Sequence, residues 1–248
     1  MRNLLAWIWG AGAAVALLSV AHAAGEVRWG YSGTIGPGNW GALDPSFGMC
    51  AAGRNQSPID LTGMLETELE RATFTYRPGT QEILHHGVSV QVLYAPGSSL
   101  TLANRSFELV QLQFHAPGEN RIEGEEFPLE VQLLHQDAGG NLAVVAVLFR
   151  EGVPNAMLEK LWRSFPDQEG VKQPLGTPLD ASGLLPARRD YYRFNGSLTT
   201  PPCSEGVLWL VMKDRLTASK EQITRLATAL GMANNRPLQP LNARTVLK

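Results

Sequence analysis

The sequence lacks internal repeats, low-complexity runs and any Ser/Gly-rich linker, which excludes a solenoid or a string of tethered domains. It also lacks a basic excess: 21 Lys and Arg stand against 23 Asp and Glu, a balance that argues against nucleic acid as a partner. Charge is sparse at 18%, and cysteine is sparser still, with Cys50 and Cys203 the only two. The chain is instead 44% apolar over 248 residues, enough to close one large core. Its 25 glycines and 16 prolines are scattered between short apolar runs as turn signals. One β-dominated α+β domain is expected over residues 24–248.

Charge is missing in one other place. After Arg2, no acidic or basic residue interrupts Asn3 to Gly25, a stretch rich in Ala, Leu, Val and Trp that ends in the small-x-small signal Ala21-His22-Ala23. Residues 1–23 are read as a secretory signal peptide; a retained anchor is the alternative, since about 18 apolar residues can span a bilayer. Gly10, Gly12 and the cleavage-like end favour removal, which leaves no stable membrane span. Removal also takes Arg2, leaving 20 basic against 23 acidic residues and a formal charge of −3. A periplasmic or secreted location follows. In that oxidising compartment Cys50 and Cys203 are expected to pair, two free thiols being the alternative. Closing so long a loop stabilises by about 4–5 kcal/mol in the chain-entropy account.

Alternation and turn signals predict strands over Val88–Tyr94, Phe107–His115, Leu129–His135, Leu142–Arg150 and Val207–Met212. Two helices are predicted. One opens near Pro154 and carries Met157, Leu158, Leu161, Trp162 and Phe165 on one side. The other starts at Ser219 with Gln222 three residues on, buries Ile223, Leu226 and Leu230, and stops at Gly231.

The most informative segment is Gln111-Leu112-Gln113-Phe114-His115-Ala116-Pro117-Gly118-Glu119-Asn120, followed by a turn at Glu123-Gly124-Glu125 and then Leu129-Glu130-Val131-Gln132-Leu133-Leu134-His135. Successive side chains on a strand point to opposite faces, so Gln111, Gln113 and His115 share one face, and Glu130, Gln132 and Leu134 share one face of the second strand. Those faces can form one pocket. The same parity puts His135 on the far side, as a packing residue.

These strands resemble those of the α-class carbonic anhydrases, which read Gln-Phe-His-Phe-His, Ser-Glu-His and Glu-x-His-Leu-Val-His. Further segments match in order and spacing: Trp29-Gly30-Tyr31 and Trp40, Asn55-Gln56-Ser57-Pro58-Ile59-Asp60, Gly196-Ser197-Leu198-Thr199-Thr200-Pro201-Pro202-Cys203, and Asn234-Asn235-Arg236-Pro237-Leu238-Gln239-Pro240. The resemblance implies a large twisted, mostly antiparallel central sheet with small surface helices. It places the three zinc-ligand positions at Gln113, His115 and Gln132, so that only the middle one is histidine. It further implies a gate-keeping pair in Thr199 and Glu119, a residue in Gln111 that orients the first ligand and an acceptor in Glu130 for the third, and a pocket wall including Tyr31, Val88, Leu134, Val144, Leu198, Thr200 and Trp209. In secreted relatives, cysteines matching Cys50 and Cys203 pair and tether the threonine loop. The proton-shuttle position falls on Val88, which carries no proton; His86 is a substitute shuttle or a surface turn residue. Asn120 replaces a family histidine and Phe194 a family tyrosine.

The chemistry depends on the metal. Three imidazoles hold zinc in the active enzymes and lower the pKa of its water to about 7, against about 15.7 for free water, a gap of about 12 kcal/mol. Glutamine offers a non-basic amide, so no zinc or other cofactor is expected beyond weak zinc binding. The expected function is a zinc-free carbonic-anhydrase-related protein that keeps a pocket for binding a protein, a glycan or a small anion. The alternative is a working enzyme that interconverts CO₂ and bicarbonate through His115 and a non-standard ligand set.

Overall fold

Seven principal strands build the framework: β1 Thr80–His85, β2 Val90–Tyr94, β3 Arg105–His115, β4 Leu129–Gln136, β5 Leu142–Glu151, β6 Tyr191–Ser197 and β7 Glu205–Met212. They lie side by side in the order β1-β2-β3-β4-β5-β7-β6 within an eleven-stranded sheet. The computed structural model describes residues 27–166 and 168–248, so the expected signal peptide lies outside the described residues. All pairings in this sheet are antiparallel except β5 with β7 and β5 with the short strand Leu216–Ala218. The architecture is thus the β-dominated, mostly antiparallel one expected.

Strand β5 shows why the sheet sits where it does. Its run Leu142 to Phe149 does not alternate, because it is covered on both faces. Val145, Val147 and Phe149 join a core with Leu112, Phe114, Val131 and Leu133 on one side. Val144, Ala146 and Leu148 join Phe194, Trp209 and Val211 on the other. The site lies on this second side.

The helices follow their local signals. Helix α1, Ala156–Arg163, is capped by Asn155, whose side chain accepts from the Met157 and Leu158 amides. Helix α2, Lys220–Leu230, opens with a reciprocal capping box between Ser219 and Gln222 and ends at Gly231, whose φ of 63° suits glycine. Leu226 and Leu230 are buried as expected, while Ile223 is only half-buried. Its neighbour Gln222 takes the interior place, because its amide also bonds both backbone groups of Asn155 and so ties α2 to α1.

Cys50 and Cys203 are disulfide-bonded, with Cα atoms 5.0 Å apart, and join the short helix Met49–Ala52 to the loop after β6. A second clamp holds that loop. Ser57 and Ser197 exchange backbone-to-hydroxyl hydrogen bonds of 2.9 and 3.1 Å. A Cβ at Gly196 would collide with the Ser57 hydroxyl and the Trp209 ring, so this approach needs glycine. No helix among the described residues is long and apolar enough to cross a membrane.

Candidate functional site

Three rows of side chains cross the sheet toward one pocket. Gln113 of β3 pairs directly with Gln91 of β2 and Gln132 of β4; Gln111 pairs with Leu134; His115 pairs with Glu130. Side chains at directly opposed positions stand about 4.5–5.5 Å apart at Cβ. The structure therefore brings Gln111, Gln113, His115, Glu130, Gln132 and Leu134 together, as strand parity requires. His135, opposite Leu109, points the other way, where its Nε2 lies 2.6 Å from the Tyr76 hydroxyl.

His115 is fully buried, and its protonation is fixed by geometry. Its Nδ1 lies 2.8 Å from the Asn234 carbonyl oxygen, which can only accept, so Nδ1 carries the hydrogen and Nε2 keeps a lone pair. Nε2 is buried with no hydrogen-bond partner. Burial lowers the pKa of the ring, against the opposing pull of Glu130 and the Asn234 carbonyl, so the ring is neutral. Asn234 is held in turn: its side chain accepts from the Ala116 amide at 2.8 Å and donates to the Phe114 carbonyl at 2.9 Å.

Two buried carboxylates lie behind the glutamines. Glu130 accepts at 2.8 Å from each of the Glu119 and Asn120 amides and from the Asn120 side chain. Glu119 accepts from the Arg236 amide at 2.8 Å and from the Thr199 hydroxyl. Gln132 Nε2 donates to both, at 2.8 Å to Glu119 and 3.0 Å to Glu130. Those two bonds use both amide hydrogens and leave the Gln132 carbonyl oxygen as its remaining polar atom. Burial raises the Glu119 pKa to about 7 against the effect of these bonds. Burial and the charge of Glu119 raise that of Glu130 as well.

The one buried cation near them is Arg236, whose guanidinium donates to Gln56, the Ser57 carbonyl and the Cys50 carbonyl and lies over Trp40. Burial lowers its pKa to about 10, offset by Glu119. The Tyr31 hydroxyl is buried without a hydrogen-bond partner, and burial followed by the charge of Glu119 raises its pKa.

A cavity of about 700 Å³ adjoins these rows, lined by Trp29, Tyr31, Val88 and Gln91, with His86 and Glu169 at its rim. Tyr31 and Val88 line this cavity, and His86 is an exposed turn residue facing the same space. The expected wall residues Leu134, Val144, Leu198, Thr200 and Trp209 do not line this cavity. Val144 and Trp209 are buried in the core, Leu134 and Leu198 pack against it, and the Thr200 carbonyl closes a turn by accepting from the Cys203 amide. Phe194 stacks on Trp209, which fixes it as packing. Sequence reasoning missed Gln91, Asn234 and Arg236 as site residues. Gln91 was reachable by extending the parity rule to β2; the Asn234 carbonyl and the Arg236 amide are backbone groups that carry no sequence signal.

A zinc site takes imidazole, thiolate or carboxylate donors, usually four in a tetrahedron. Here a single imidazole, His115, stands one row from the opposed amides of Gln113 and Gln132, and the hydrogens of the second amide already belong to carboxylates. Amide oxygens suit hard cations better than zinc, so this donor set does not fit zinc. Among the described residues no group of three or more His, Cys, Asp or Glu is placed to hold a metal ion.

A family model for eukaryotic-type carbonic anhydrase matches residues 35–248. The chain is 44% identical over 227 residues to a carbonic anhydrase of Pectobacterium carotovorum, covering 92% of this chain and 93% of that one. The α-carbonic anhydrase of Thermovibrio ammonificans, solved with the inhibitor sulfanilamide, is 42% identical with a TM-score of 0.88, covering 90% of this chain and all of that one. Dioscorin, solved with ascorbate, is 33% identical with a TM-score of 0.84, covering 89% and 97%. Sequence, fold and the order of the matched segments agree: the chain belongs to the α-class carbonic anhydrase family.

Proposed function

We propose that this chain is an exported carbonic anhydrase homologue in which zinc-dependent CO₂ hydration is lost or strongly reduced, and that its pocket is kept for binding. The observation that carries this reading is the directly opposed pair Gln113 and Gln132, which stand one row along the sheet from His115 where two further imidazoles would be needed. Without a Lewis acid, water activation falls short by about 12 kcal/mol at neutral pH. Thr199 and Glu119 still make their mutual hydrogen bond, and Gln132 is absorbed into it, so the network is explained by the need to satisfy buried polar groups. The disulfide is compatible with a periplasmic or secreted location. Ascorbate bound to dioscorin supports the use of this fold to hold a small molecule.

A second reading is favoured by the names of the relatives: chains 41–44% identical to this one are called carbonic anhydrases. On that reading the protein interconverts CO₂ and bicarbonate with His115 in a non-standard ligand set. Stopped-flow CO₂ hydration, run with zinc supplied, separates the two. The first reading expects rates at the uncatalysed background; zinc-dependent turnover that vanishes in His115→Ala establishes the second.

A further inference from the structure

Where β6 begins and β7 ends, two adjoining cavities of about 570 and 560 Å³ open. They share Ala187 and Lys213 and so form one groove, which has no lining residue in common with the cavity at Tyr31. Arg71, Arg188, Arg189, Lys213 and Lys248 line the first cavity, and Arg150, Lys213 and Arg215 line the second. Two hydrogen bonds tie the walls together. The Tyr191 hydroxyl donates to the Glu70 carbonyl, and the Lys213 amide donates to the Asp190 carbonyl at 2.8 Å.

Several of these cations are fixed in place. Lys213 lies over the Tyr192 ring at 5.3 Å, Arg189 over Phe74 at 5.8 Å and Arg215 over Phe127 at 5.3 Å. Arg215 also donates to the Lys213 carbonyl. Asp214 grips Arg188 through two bonds of 2.6 and 2.8 Å, so the groove already seats one carboxylate on a guanidinium fork. Side chains ordered in advance reduce the entropy that a ligand must offset. Arg71 is exposed and has no ion-pair partner among the described residues.

The sign of the groove is set by guanidinium and ammonium groups, which stay charged at any physiological pH. Seven cationic side chains line it against Glu70, Asp190 and Asp214; Glu66 and Glu125, which pair with Lys248 and Arg150, bring the acids to five. That local excess stands in a chain whose formal charge is −2. The complementary ligand is an anion, and one of low charge density, because the interspersed acids repel a densely charged chain. None of the exposed large apolar side chains lines either cavity, which leaves a membrane no apolar foothold. Tyr191, the one aromatic residue among the described lining residues, is buried, so no ring is offered for a nucleobase to stack on.

We propose that this groove binds an acidic polysaccharide, whose sugar carboxylates meet Arg71, Lys213 and Arg215 and whose hydroxyls meet the Thr67 and Thr217 side chains of the same walls. A uronic-acid chain carries one carboxylate per ring and many hydroxyls, which suits cations spaced among acids and threonines. The inference goes beyond the pocket reading and does not depend on it.

The test titrates the purified mature protein with an oligogalacturonate by calorimetry, at low and at physiological salt. Dextran, single-stranded oligothymidylate and phosphatidylglycerol vesicles are titrated in parallel. Saturable binding of the oligogalacturonate is expected, weakening as salt rises. Dextran, which has the hydroxyls without the charge, should bind at least about tenfold more weakly. Arg71→Gln combined with Lys213→Gln should weaken the oligogalacturonate by about tenfold. Arg105→Gln combined with Arg163→Gln makes the same charge change outside the groove and should alter binding by less than about twofold. Should the first pair unfold, Arg71→Glu serves in its place, because Arg71 is exposed. Equal losses from the two pairs would show that overall charge governs binding and would overturn the proposal. Failure of the oligogalacturonate to bind overturns it too, as does binding of oligothymidylate or vesicles that is equally tight.

Discussion

His115 and His135 sit on adjacent strands, are both fully buried, are both held neutral by burial and each leave one ring nitrogen without a hydrogen-bond partner, yet they face different surroundings. His135 projects into the apolar face, where Tyr76 stacks on its ring and bonds its Nε2 at 2.6 Å. His115 projects into the polar face with its Nε2 unpartnered. The same contrast runs along both strands. Leu112, Phe114, Val131 and Leu133 fill one side, while Gln111, Gln113, Glu130 and Gln132 crowd the other. The apolar face is dominated by packing, whereas on the polar face Glu119, Glu130 and Gln132 are tied into one hydrogen-bond network.

The largest expected effect sharpens this comparison. Gln113→His with Gln132→His should tighten zinc binding by more than about 100-fold, since changes one shell further out already cost about 10–100-fold. CO₂ hydration should then become measurable, limited by Val88, which cannot pass a proton. Tight zinc without turnover would show that Asn120, Phe194 or the pocket shape blocks catalysis too.

Next in size is a change on the opposite face. Phe114→Ala should cost about 3–5 kcal/mol in urea unfolding, because the ring is fully buried against Trp162. Gln113→Leu, its neighbour on the polar face, should cost less than about 1 kcal/mol. Equal costs would erase the distinction between a packing face and a binding face.

Much of the fold was legible because its signals are local. Alternation in β3, β4 and β7, the Asn155 and Ser219 caps and the Gly231 stop all appear as expected. Strands β1 and β6 were not foreseen. Thr80–His85 does not alternate cleanly, and Tyr191–Ser197 carries Asn195-Gly196, which reads as a turn. At the site, parity alone placed the residues of β3 and β4 on one face. The tautomer of His115 and the orientation of Gln132 were not legible, because they are set by Asn234, Glu119 and Glu130, which the chain brings in from elsewhere.

A smaller effect concerns pH. Glu119 has a folded pKa of about 7, raised from an ordinary value of 4.5, so the unfolded chain loses this proton first as pH rises. Its contribution is therefore favourable below pH 4.5 and is lost between pH 4.5 and 7, a change of about 3 kcal/mol. The difference in unfolding free energy between the parent and Glu119→Gln should slope by about one proton across that window and be flat above it. A flat difference throughout would mean that the carboxylate is ionised in the fold at pH 5.

The smallest effect tests the far histidine. Tyr76→Phe should cost about 1–2 kcal/mol by removing the partner of His135 Nε2, and it should leave the zinc affinity of the Gln113→His, Gln132→His double variant unchanged. A loss of affinity would couple the two faces and contradict their separation.

Metal analysis of the mature protein, expressed and purified with zinc supplied and then mildly dialysed, tests the central claim most directly. The account predicts well under one equivalent of zinc per chain, with no change on His115→Ala. A full equivalent that is lost in His115→Ala would contradict it.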